Sequence, residues 1–463
     1  MFFRQAFLLS NLTLLATVTC AFQPSWTTNS RPSCIRLTTR RCQGAHSALQ
    51  QSNNNNNGNG KLDKGFNLLE IASSIVPQGR IVSAVKESWK FGWKRMMAEL
   101  APQDKEGRYT RPSYSFEGRI GSNAFPDEPG RYHLFVGNPC PWCHRTKLAV
   151  NILGLTKEEM GVTQLVDDPV KASRGGWVFS SQQPDPLYGC RDLRELYDKL
   201  SPTGAFQGRC TAPLLVDKKT KRAVSNESSD IVRMLNDAQF GKNNPKERLN
   251  LYPSKLASEI DTLNEWIYRL LNNGVYRCGF STTQLAYDEA SRDVREGLRR
   301  CDDILGESKL LCGDQFTEAD LRLLPTILRF DGAYAPLFKA GGTHLRIQTN
   351  YPNLHAWLKR SWAMPGVKES IDLADATGSY YKQLFPLNPG GIIPTPPTAA
   401  DIGLEWIFRR QMTTTTVLSL STYLSRWRHI DTRQTRVGGP MYSQRPKLGQ
   451  WCDLPSGELL PPN

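Results

Sequence analysis

The first 60 residues contain no aspartate or glutamate, and their only charged side chains are five arginines: Arg4, Arg31, Arg36, Arg40 and Arg41. Elsewhere the chain has no long run of lysine or arginine. Its formal net charge of +14 therefore does not predict a phosphate-binding face. The chain also has no apolar run of the ~20 residues that a membrane-spanning helix needs. We expect neither nucleic acid as a partner nor stable insertion into a membrane.

Residues 1–61 have the composition of a targeting sequence. The stretch FLLSNLTLLATVTCA places an apolar core behind Arg4 and ends in small residues, as a signal peptide does. Residues 22–61 are rich in Ser, Thr and Arg and end in an Asn-rich linker, which is typical of a transit peptide followed by a disordered linker. This bipartite order resembles the presequence of algae with secondary plastids. It predicts localisation in the plastid, with the secretory pathway as the alternative, and the isolated cysteines of the body favour the plastid.

The remaining chain changes its pattern three times. Residues 62–129 predict an N-terminal extension that packs on the body of the protein. Residues 130–245 alternate strand and helix patterns in the order β-α-β-α-β-β-α, and residues 246–397 show helical periodicity without a strand pattern. The sequence therefore predicts an α/β domain followed by an all-helical domain. Residues 398–463, with eight basic and five acidic side chains, predict a basic and disordered tail.

Two cysteines three residues apart, Cys140 and Cys143, stand where a helix is predicted to begin after the strand RYHLFV. A helix N-terminus lowers the pKa of a cysteine beside it, and we expect His144 and Arg145 to add positive charge. A zinc site would need a second pair, but the cysteines of the body that follow are isolated: Cys190, Cys210, Cys278, Cys301 and Cys312. C-x-x-C-H also matches c-type haem attachment, although no axial ligand is evident. The pair is therefore predicted to provide a redox or nucleophilic thiol.

Two later motifs support this interpretation. RCTAPLLV places Pro213 at the start of a strand, where thioredoxin-like folds hold a cis-proline beside the thiol and the preceding residue offers backbone groups to a peptide substrate. SNESSDIV begins a helix at Glu227 and Ser228, whose N–H groups and hydroxyl are placed to hold a small carboxylate. For Ser228 a plain helix cap is the alternative.

These motifs resemble the Xi-class glutathione transferases, the glutathionyl-hydroquinone reductases. The matching stretches run in order from about residue 130 to 394 and include GRYHLFVGNPCPWCHR, GGWVF, RCTAPLLVDKKT, SNESSDIVRMLN, NNGVYRCGFSTTQLAYDEA, FTEADLRLLPTILRFDGAY and NPGGIIP. The resemblance implies a thioredoxin-like domain followed by an all-α glutathione-transferase C-terminal domain, assembled as a homodimer. It also implies glutathione as cosubstrate, an aromatic quinone-derived conjugate as substrate, and no metal.

The same resemblance implies roles for individual residues. Cys140 would be the nucleophile and Tyr276 the proton donor, while Tyr334 and Tyr380 would line the site and favour the thiolate. Without the resemblance, a buried tyrosine is more often part of the core than of a catalytic site. The residues implied for glutathione binding are Trp177, Arg209, Ala212, Pro213, Glu227 and Ser228. The implied activity removes glutathione from glutathionyl-hydroquinones through a Cys140–glutathione mixed disulfide.

Three alternatives stay open at this point. An omega-like thioltransferase or dehydroascorbate reductase would use the same thiol on another acceptor, and a non-catalytic binding module would share the fold. The third concerns Cys143, because the Xi class commonly has alanine at this position. Cys143 is either an auxiliary thiol that resolves the mixed disulfide or a silent buried residue.

Overall fold

The computed structural model describes residues 77–114, 116–173, 175–241 and 248–405. The predicted presequence, the linker and the tail beyond residue 405 lie outside the described residues. The chain forms two compact units, Met1–Ala84 and Val85–Asn463. Of the first, residues 77–84 are described, and they contain the start of helix α1 (Gln78–Leu100). The sheet, the other helices and the candidate site all belong to the second unit.

A five-stranded sheet forms the centre of the α/β domain. Its strands are β1 Tyr132–Gly137, β2 Met160–Asp167, β3 Trp177–Val178, β4 Leu214–Asp217 and β5 Arg222–Ser225, and its helices are α2 Pro141–Ile152, α3 Leu193–Leu200 and α4 Ser228–Asp237. The spatial order is β3-β2-β1-β4-β5, with β1 and β2 parallel and the other pairs antiparallel. The predicted element order is present with one addition, since β3 is a two-residue edge strand where the sequence predicts a loop.

The central strand positions the cysteine motif. All six residues of β1 are buried, as expected for a strand covered on both faces. Helix α2 begins directly after β1, with Cys140 as its N-cap and Pro141 as its first residue, where a missing N–H costs nothing. The chain leaves α2 through Gly154, whose φ of +62° is the left-handed conformation that commonly ends a helix. The motif therefore lies at the carboxyl end of the central strand.

The C-terminal part of the body is helical. Its helices are α5 Ala257–Ile267, α6 Gly274–Phe280, α7 Gln284–Glu307, α8 Glu318–Arg329, α9 Ile347–Asn350, α10 Pro352–Trp362 and α11 Leu373–Gln383. Helix α8 begins at the capping box of Thr317 and Asp320 that the sequence pattern indicates. Every residue of α8 except Arg322 is buried, so this helix forms the core of the domain.

Helix α8 continues into a π-helical turn, Phe330–Tyr334. The turn is closed by the N–H of Ala335, which donates to the carbonyl oxygen of Phe330 at 2.8 Å, five residues back. A second π turn, Tyr268–Asn272, follows α5 in the same way. Such wider turns are rare and occur mostly as single turns within α-helices. The first turn ends at Tyr334, and the second is followed by α6, which carries Tyr276. Both tyrosines are predicted site residues.

The segment between α1 and β1 contacts both parts of the body. Arg108 forms a two-pronged ion pair with Glu289 on α7, with nitrogen–oxygen distances of 2.8 and 3.1 Å. The N–H of Gly118 donates to the carbonyl oxygen of Val224 in β5 at 2.7 Å. Within the described ranges, no helix is long and apolar enough to cross a membrane.

Candidate active site

Cys140 lies between the start of α2 and the strand that carries Pro213. Its Sγ accepts a hydrogen bond from the backbone N–H of Cys143 at 3.5 Å. On the other side, Sγ is 3.6 Å from the carbonyl oxygen of Ala212, to which the protonated thiol donates. The Ala212–Pro213 peptide bond is cis, so the cis-proline that the sequence pattern predicts is next to the thiol. The residue is half-buried.

The surroundings of Cys140 favour its thiolate. Burial raises the pKa of this thiol, but four other interactions outweigh burial and bring the pKa from 9.0 down to about 7. They are hydrogen bonds from the Cys143 thiol and from the backbone N–H groups of Cys143 and Trp142, and the positive charge of Arg329. The lowered pKa favours the thiolate, which is the nucleophilic form.

Cys143 differs from Cys140 although it stands only one helical turn away. Its side chain is 1% exposed. Burial, the hydrogen bond to Cys140 and the negative charge of Cys140 raise the pKa of the Cys143 thiol well above 9.0. Cys143 therefore keeps its proton in the resting enzyme and donates it in a hydrogen bond to the Cys140 sulfur.

Arg329, the last residue of α8, supplies the positive charge near Cys140. It is completely buried, and its guanidinium donates to the backbone carbonyls of Asn138 (2.8 Å) and Pro139 (3.1 Å), directly before the cysteine. Among the described residues, no aspartate or glutamate forms an ion pair with it. A buried cation is costly when no anion compensates it. We infer that the Cys140 thiolate is the anion that offsets this charge.

His144 does not carry the positive charge that the sequence suggests. Its Nδ1 accepts a hydrogen bond from Arg329 at 3.0 Å, and its Nε2 donates to the hydroxyl of Ser370 at 2.7 Å. Burial, followed by the charge of Arg329, holds the pKa of His144 well below 6.5, so the ring is neutral at pH 7. The expectation was wrong because these partners come from a distant part of the sequence.

Arg145 also contributes differently from the expectation. Its guanidinium carbon lies 4.5 Å from the ring centre of Trp142, and its Nη2 donates to Asn272 of the helical domain at 2.6 Å. It thus joins α2 to the helical domain. The cation that acts on Cys140 is Arg329.

Three tyrosine hydroxyls from the helical domain meet near the thiol. Tyr380 on α11 lies 2.7 Å from the hydroxyl of Tyr276 on α6 and 2.8 Å from that of Tyr334, while Tyr276 and Tyr334 are 3.5 Å apart. Burial is the largest cause that raises the pKa of each tyrosine, and the negative charge of Cys140 raises the pKa values of Tyr276 and Tyr334 further. All three remain protonated at pH 7. We call this group the tyrosine face.

Tyr276 is the most exposed member of the tyrosine face. It is half-buried, whereas Tyr334 is 0% and Tyr380 is 8% exposed. Its ring stacks near Trp142, with ring centres 6.3 Å apart and planes inclined by 28°. Tyr276 is therefore the tyrosine of this group that lies beside Trp142 of the cysteine motif.

The start of α4 provides the opposite side of the site. Glu227 is the N-cap, and its Oε1 accepts from the N–H of Ser229 and from the hydroxyl of Ser228, both at 3.2 Å. Ser228 is the first residue of the helix, so the alternative that it is the cap is wrong. Although burial raises the pKa of Glu227, Arg111 leads the interactions that lower it below its usual range. Glu227 is therefore an anion at neutral pH.

Arg111, from the segment before β1, is a site residue that the sequence did not reveal. Its guanidinium lies 3.6 Å from the ring centre of Trp142 and 3.5 Å from the carboxylate of Glu227. Its Nη1 is buried and has no hydrogen-bond partner in the part of the chain that the structure describes. A buried donor without a partner next to a carboxylate is suited to an anionic group of a ligand.

The two other predicted glutathione residues are Trp177 and Arg209. The ring of Trp177 packs on Gly137, where an added Cβ would come within 2.1 Å of it. A larger residue at position 137 would therefore displace the indole from this position. Arg209 is exposed and donates to the carbonyl oxygen of Leu100 at 3.3 Å, at the end of α1. We call the predicted glutathione residues, together with Arg111, the glutathione face: Trp177, Arg209, Ala212, Pro213, Glu227, Ser228 and Arg111.

Comparison with known proteins identifies the family. The models "Glutathione S-transferase, N-terminal domain" and "Glutathione S-transferase, C-terminal domain" match residues 139–238 and 284–360. Glutathionyl-hydroquinone reductase YqjG of Escherichia coli is 40% identical over 280 residues, which are 60% of this chain and 82% of the relative. The glutathione-bound structure of YqjG is 37% identical with a TM-score of 0.55, over 63% of this chain and 94% of that chain.

Two further relatives agree with this assignment. Glutathionyl-hydroquinone reductase PcpF of Sphingobium chlorophenolicum is 38% identical over 301 residues, 64% of this chain and 92% of the relative. The crystal structure of the glutathione-S-transferase Xi from Phanerochaete chrysosporium is 39% identical with a TM-score of 0.57, over 62% of this chain and 97% of that chain. The chain belongs to the Xi-class glutathione transferases. The predicted fold class, a thioredoxin-like domain followed by an all-α C-terminal domain, is confirmed.

The charged residues that complete this Xi-class site were missed for different reasons. Arg329 had a signal, because it is the only charged side chain in the buried stretch LLPTILRF (residues 323–330), and a charge inside an apolar helix needs a partner. Arg111 had none, since it lies in an irregular segment with several other arginines. In the described ranges no group of three or more His, Cys, Asp or Glu side chains is placed to hold a metal ion.

Proposed function

We propose that this Xi-class transferase is a glutathionyl-hydroquinone reductase, which converts a glutathionyl-hydroquinone and glutathione into the hydroquinone and oxidised glutathione. One observation carries the proposal: a thiol with a pKa of about 7 faces tyrosine hydroxyls whose pKa values its own charge helps to raise. The site thus combines a nucleophile for sulfur with a proton donor for carbon. The names of the relatives YqjG and PcpF support the same activity.

The glutathione face fits the chemistry of glutathione. Glutathione carries one ammonium group and two carboxylates. The Glu227 carboxylate is an anion suited to the ammonium group, and the partnerless Nη1 of Arg111 is suited to a carboxylate. The backbone of Ala212, next to the cis-proline, offers hydrogen bonds to a peptide beside Cys140. Trp177 and Arg209 extend this face.

The reaction follows from this arrangement in two steps. The Cys140 thiolate attacks the sulfur of the conjugate, a sulfur–sulfur bond forms, and the sulfur–carbon bond breaks with its electron pair passing to the aromatic carbon. Tyr276 protonates that carbon, and the hydroxyl of Tyr380 at 2.7 Å stabilises the phenolate that forms before Tyr276 recovers a proton from solvent. A glutathione thiolate then attacks the mixed disulfide, which releases oxidised glutathione and restores the Cys140 thiolate.

A comparison of acceptors tests the proposal. Purified full-length protein is assayed with glutathione and a glutathionyl-hydroquinone, a glutathionylated peptide disulfide or dehydroascorbate. We expect the hydroquinone conjugate to give the highest kcat/KM, because only this substrate uses a carbon-directed proton donor. Preference for either of the other acceptors would instead support the omega-like alternative. Absence of both turnover and a Cys140–glutathione adduct by mass spectrometry would support the non-catalytic binding module.

We also propose that the protein functions in a plastid, on the composition of residues 1–61. The test is a fusion of residues 1–61 to a fluorescent protein, expressed in an alga with a secondary plastid, beside a fusion of residues 1–21 alone. We expect the longer fusion in the plastid and the shorter one in the secretory pathway. Secretion of both would contradict the proposal.

We further propose that the chain is a homodimer, as its resemblance to the Xi class implies. Light scattering on the purified protein, measured over a range of concentrations, should give twice the chain mass. A constant monomer mass would contradict this assembly.

A further inference from the structure

The spacing of Cys140 and Cys143 allows their two sulfurs to bond to each other. The residues are the N-cap and the third residue of α2, and the backbone N–H of Cys143 donates to the Cys140 sulfur at 3.5 Å. In a helical turn, Cα atoms three residues apart are about 5 Å apart. This distance lies within the range of about 4.4–6.8 Å that disulfides span. Both residues are free thiols in this structure.

We propose that Cys143 is a resolving thiol, which displaces glutathione from Cys140 by forming a Cys140–Cys143 disulfide. The inference rests on the proposed function, since that reaction produces the mixed disulfide. It adds a second way to complete the cycle, because an internal disulfide is reduced by a dithiol as well as by glutathione.

Burial restricts Cys143 to this one reaction. A side chain that is 1% exposed is closed to molecules in solution, whereas the Cys140 sulfur lies next to it on the same helical turn, 3.5 Å from the Cys143 backbone nitrogen. Nucleophilic attack within the protein needs no access from solvent. The same burial explains why the resting Cys143 does not compete with Cys140 for substrate.

The mixed disulfide changes the surroundings of Cys143 in favour of its ionisation. In the resting enzyme, the hydrogen bond to Cys140 and the charge of Cys140 both raise the pKa of Cys143. Both causes disappear once Cys140 is bonded to glutathione and is neutral. The charge of Arg329 and a hydrogen bond from the Gly137 backbone remain, and both lower the pKa of Cys143. The second thiol thus becomes easier to ionise when it is needed.

The proposed step balances without any added oxidant. Cys143 loses its proton and attacks the Cys140 sulfur, the bond between Cys140 and the glutathione sulfur breaks, and glutathione leaves as a thiolate that takes up a proton. Two molecules of glutathione then reduce the internal disulfide and leave as oxidised glutathione. The net reaction equals that of the direct route. With a dithiol as reductant, the conjugate instead yields hydroquinone, free glutathione and the oxidised dithiol.

The test loads Cys140 independently of hydroquinone chemistry. Full-length protein is reduced, freed of reductant, treated with one equivalent of oxidised glutathione, quenched in acid and analysed by intact mass and peptide mapping. We expect the wild type to lose two hydrogen atoms in a Cys140–Cys143 disulfide and to release both glutathione units. Cys143→Ser should retain one glutathionyl group on Cys140, and Cys140→Ser should carry none on the motif.

A single turnover with a glutathionyl-hydroquinone, without free glutathione, provides the second arm. The wild type should release hydroquinone and glutathione in equal amounts, whereas Cys143→Ser should release hydroquinone alone. A glutathionyl adduct that persists equally in wild type and variant would overturn the resolving role while leaving the reductase activity intact. An internal disulfide with no hydroquinone release would overturn the reductase activity alone. Cys143→Ala serves as a second variant if the serine variant does not fold.

Discussion

The glutathione face and the tyrosine face surround the same sulfur but differ in charge and exposure. The glutathione face holds full charges at a partly open surface, such as the Arg111–Glu227 pair, whose side chains are 22% and 15% exposed. The tyrosine face holds three neutral hydroxyls, two of them on buried side chains, whose pKa values burial raises above 10. Charges suit recognition of a charged tripeptide, whereas buried hydroxyls keep protons available for a leaving carbon. The comparison predicts that binding and chemistry can be damaged separately.

The largest effect should come from replacing the Cys140 sulfur, which lies between the two faces. Cys140→Ser replaces the thiolate by a hydroxyl that is not ionised at pH 7, and we expect reductase activity to fall at least about 1,000-fold. Steady-state assays measure the loss. Cys301→Ala, a buried cysteine in α7, is the control that should retain turnover. Equal activity of Cys140→Ser and wild type would remove the nucleophile from the proposed mechanism.

Tyr276→Phe tests the tyrosine face alone. Phenylalanine keeps the ring contacts but removes the proton donor, so we expect kcat for the conjugate to fall roughly 100-fold or more. KM for glutathione and the rate of Cys140 alkylation should change little, because the glutathione face is untouched. Tyr287→Phe is a matched control. Tyr287 lies on α7, outside the tyrosine face, and its hydroxyl donates to the carbonyl oxygen of Lys339 at 2.8 Å. If both variants turn over like the wild type, Tyr276 is not the acid.

Arg329→Met tests the charge between the two faces. Iodoacetamide alkylation of wild-type Cys140 should rise with pH through about 7, as the thiol loses its proton, and then level off. Without the cation, the midpoint should move to higher pH by about one unit, so alkylation at pH 6 should fall roughly tenfold. Arg329→Lys keeps a positive charge and should return the midpoint most of the way to the wild-type value. An unmoved midpoint in folded Arg329→Met protein would show that helix and hydrogen bonds alone stabilise the thiolate.

Arg111→Leu should give the smallest effect and tests the glutathione face. Loss of a charged donor predicts a KM for glutathione roughly tenfold higher, with kcat and the Cys140 alkylation midpoint nearly unchanged. Arg119→Leu, whose ion pair with Asp237 is exposed, is the control for loss of a nearby arginine. A fall in kcat without a change in KM would place Arg111 in the chemical step and erase the proposed division between the faces.

The sequence predicted well those features that depend on residues close together in the chain. The strand, the helix start and Pro213 follow from local patterns, and the structure places Cys140 and the cis-proline together. The tyrosines followed only from the resemblance, because no local pattern separates them from core residues. The neutral state of His144 and the role of Arg329 depend on a contact across 185 positions, which local patterns do not contain. Strand β3 was missed because two residues carry no alternation.

The π turn after α8 determines the directions in which Arg329 and Tyr334 point from the helix. Residues five apart on an α-helix point about 140° away from each other, whereas a π turn brings the fifth residue round to the same side. Arg329 directly precedes this turn and Tyr334, five residues later, is its last residue; the charge of Arg329 lowers the pKa of Tyr334 against the larger effect of burial. One widened turn thus lets a single helix present a cation and a hydroxyl to one sulfur. Deletion of one residue in this turn is therefore expected to rotate Tyr334 away from the side of the helix that carries Arg329.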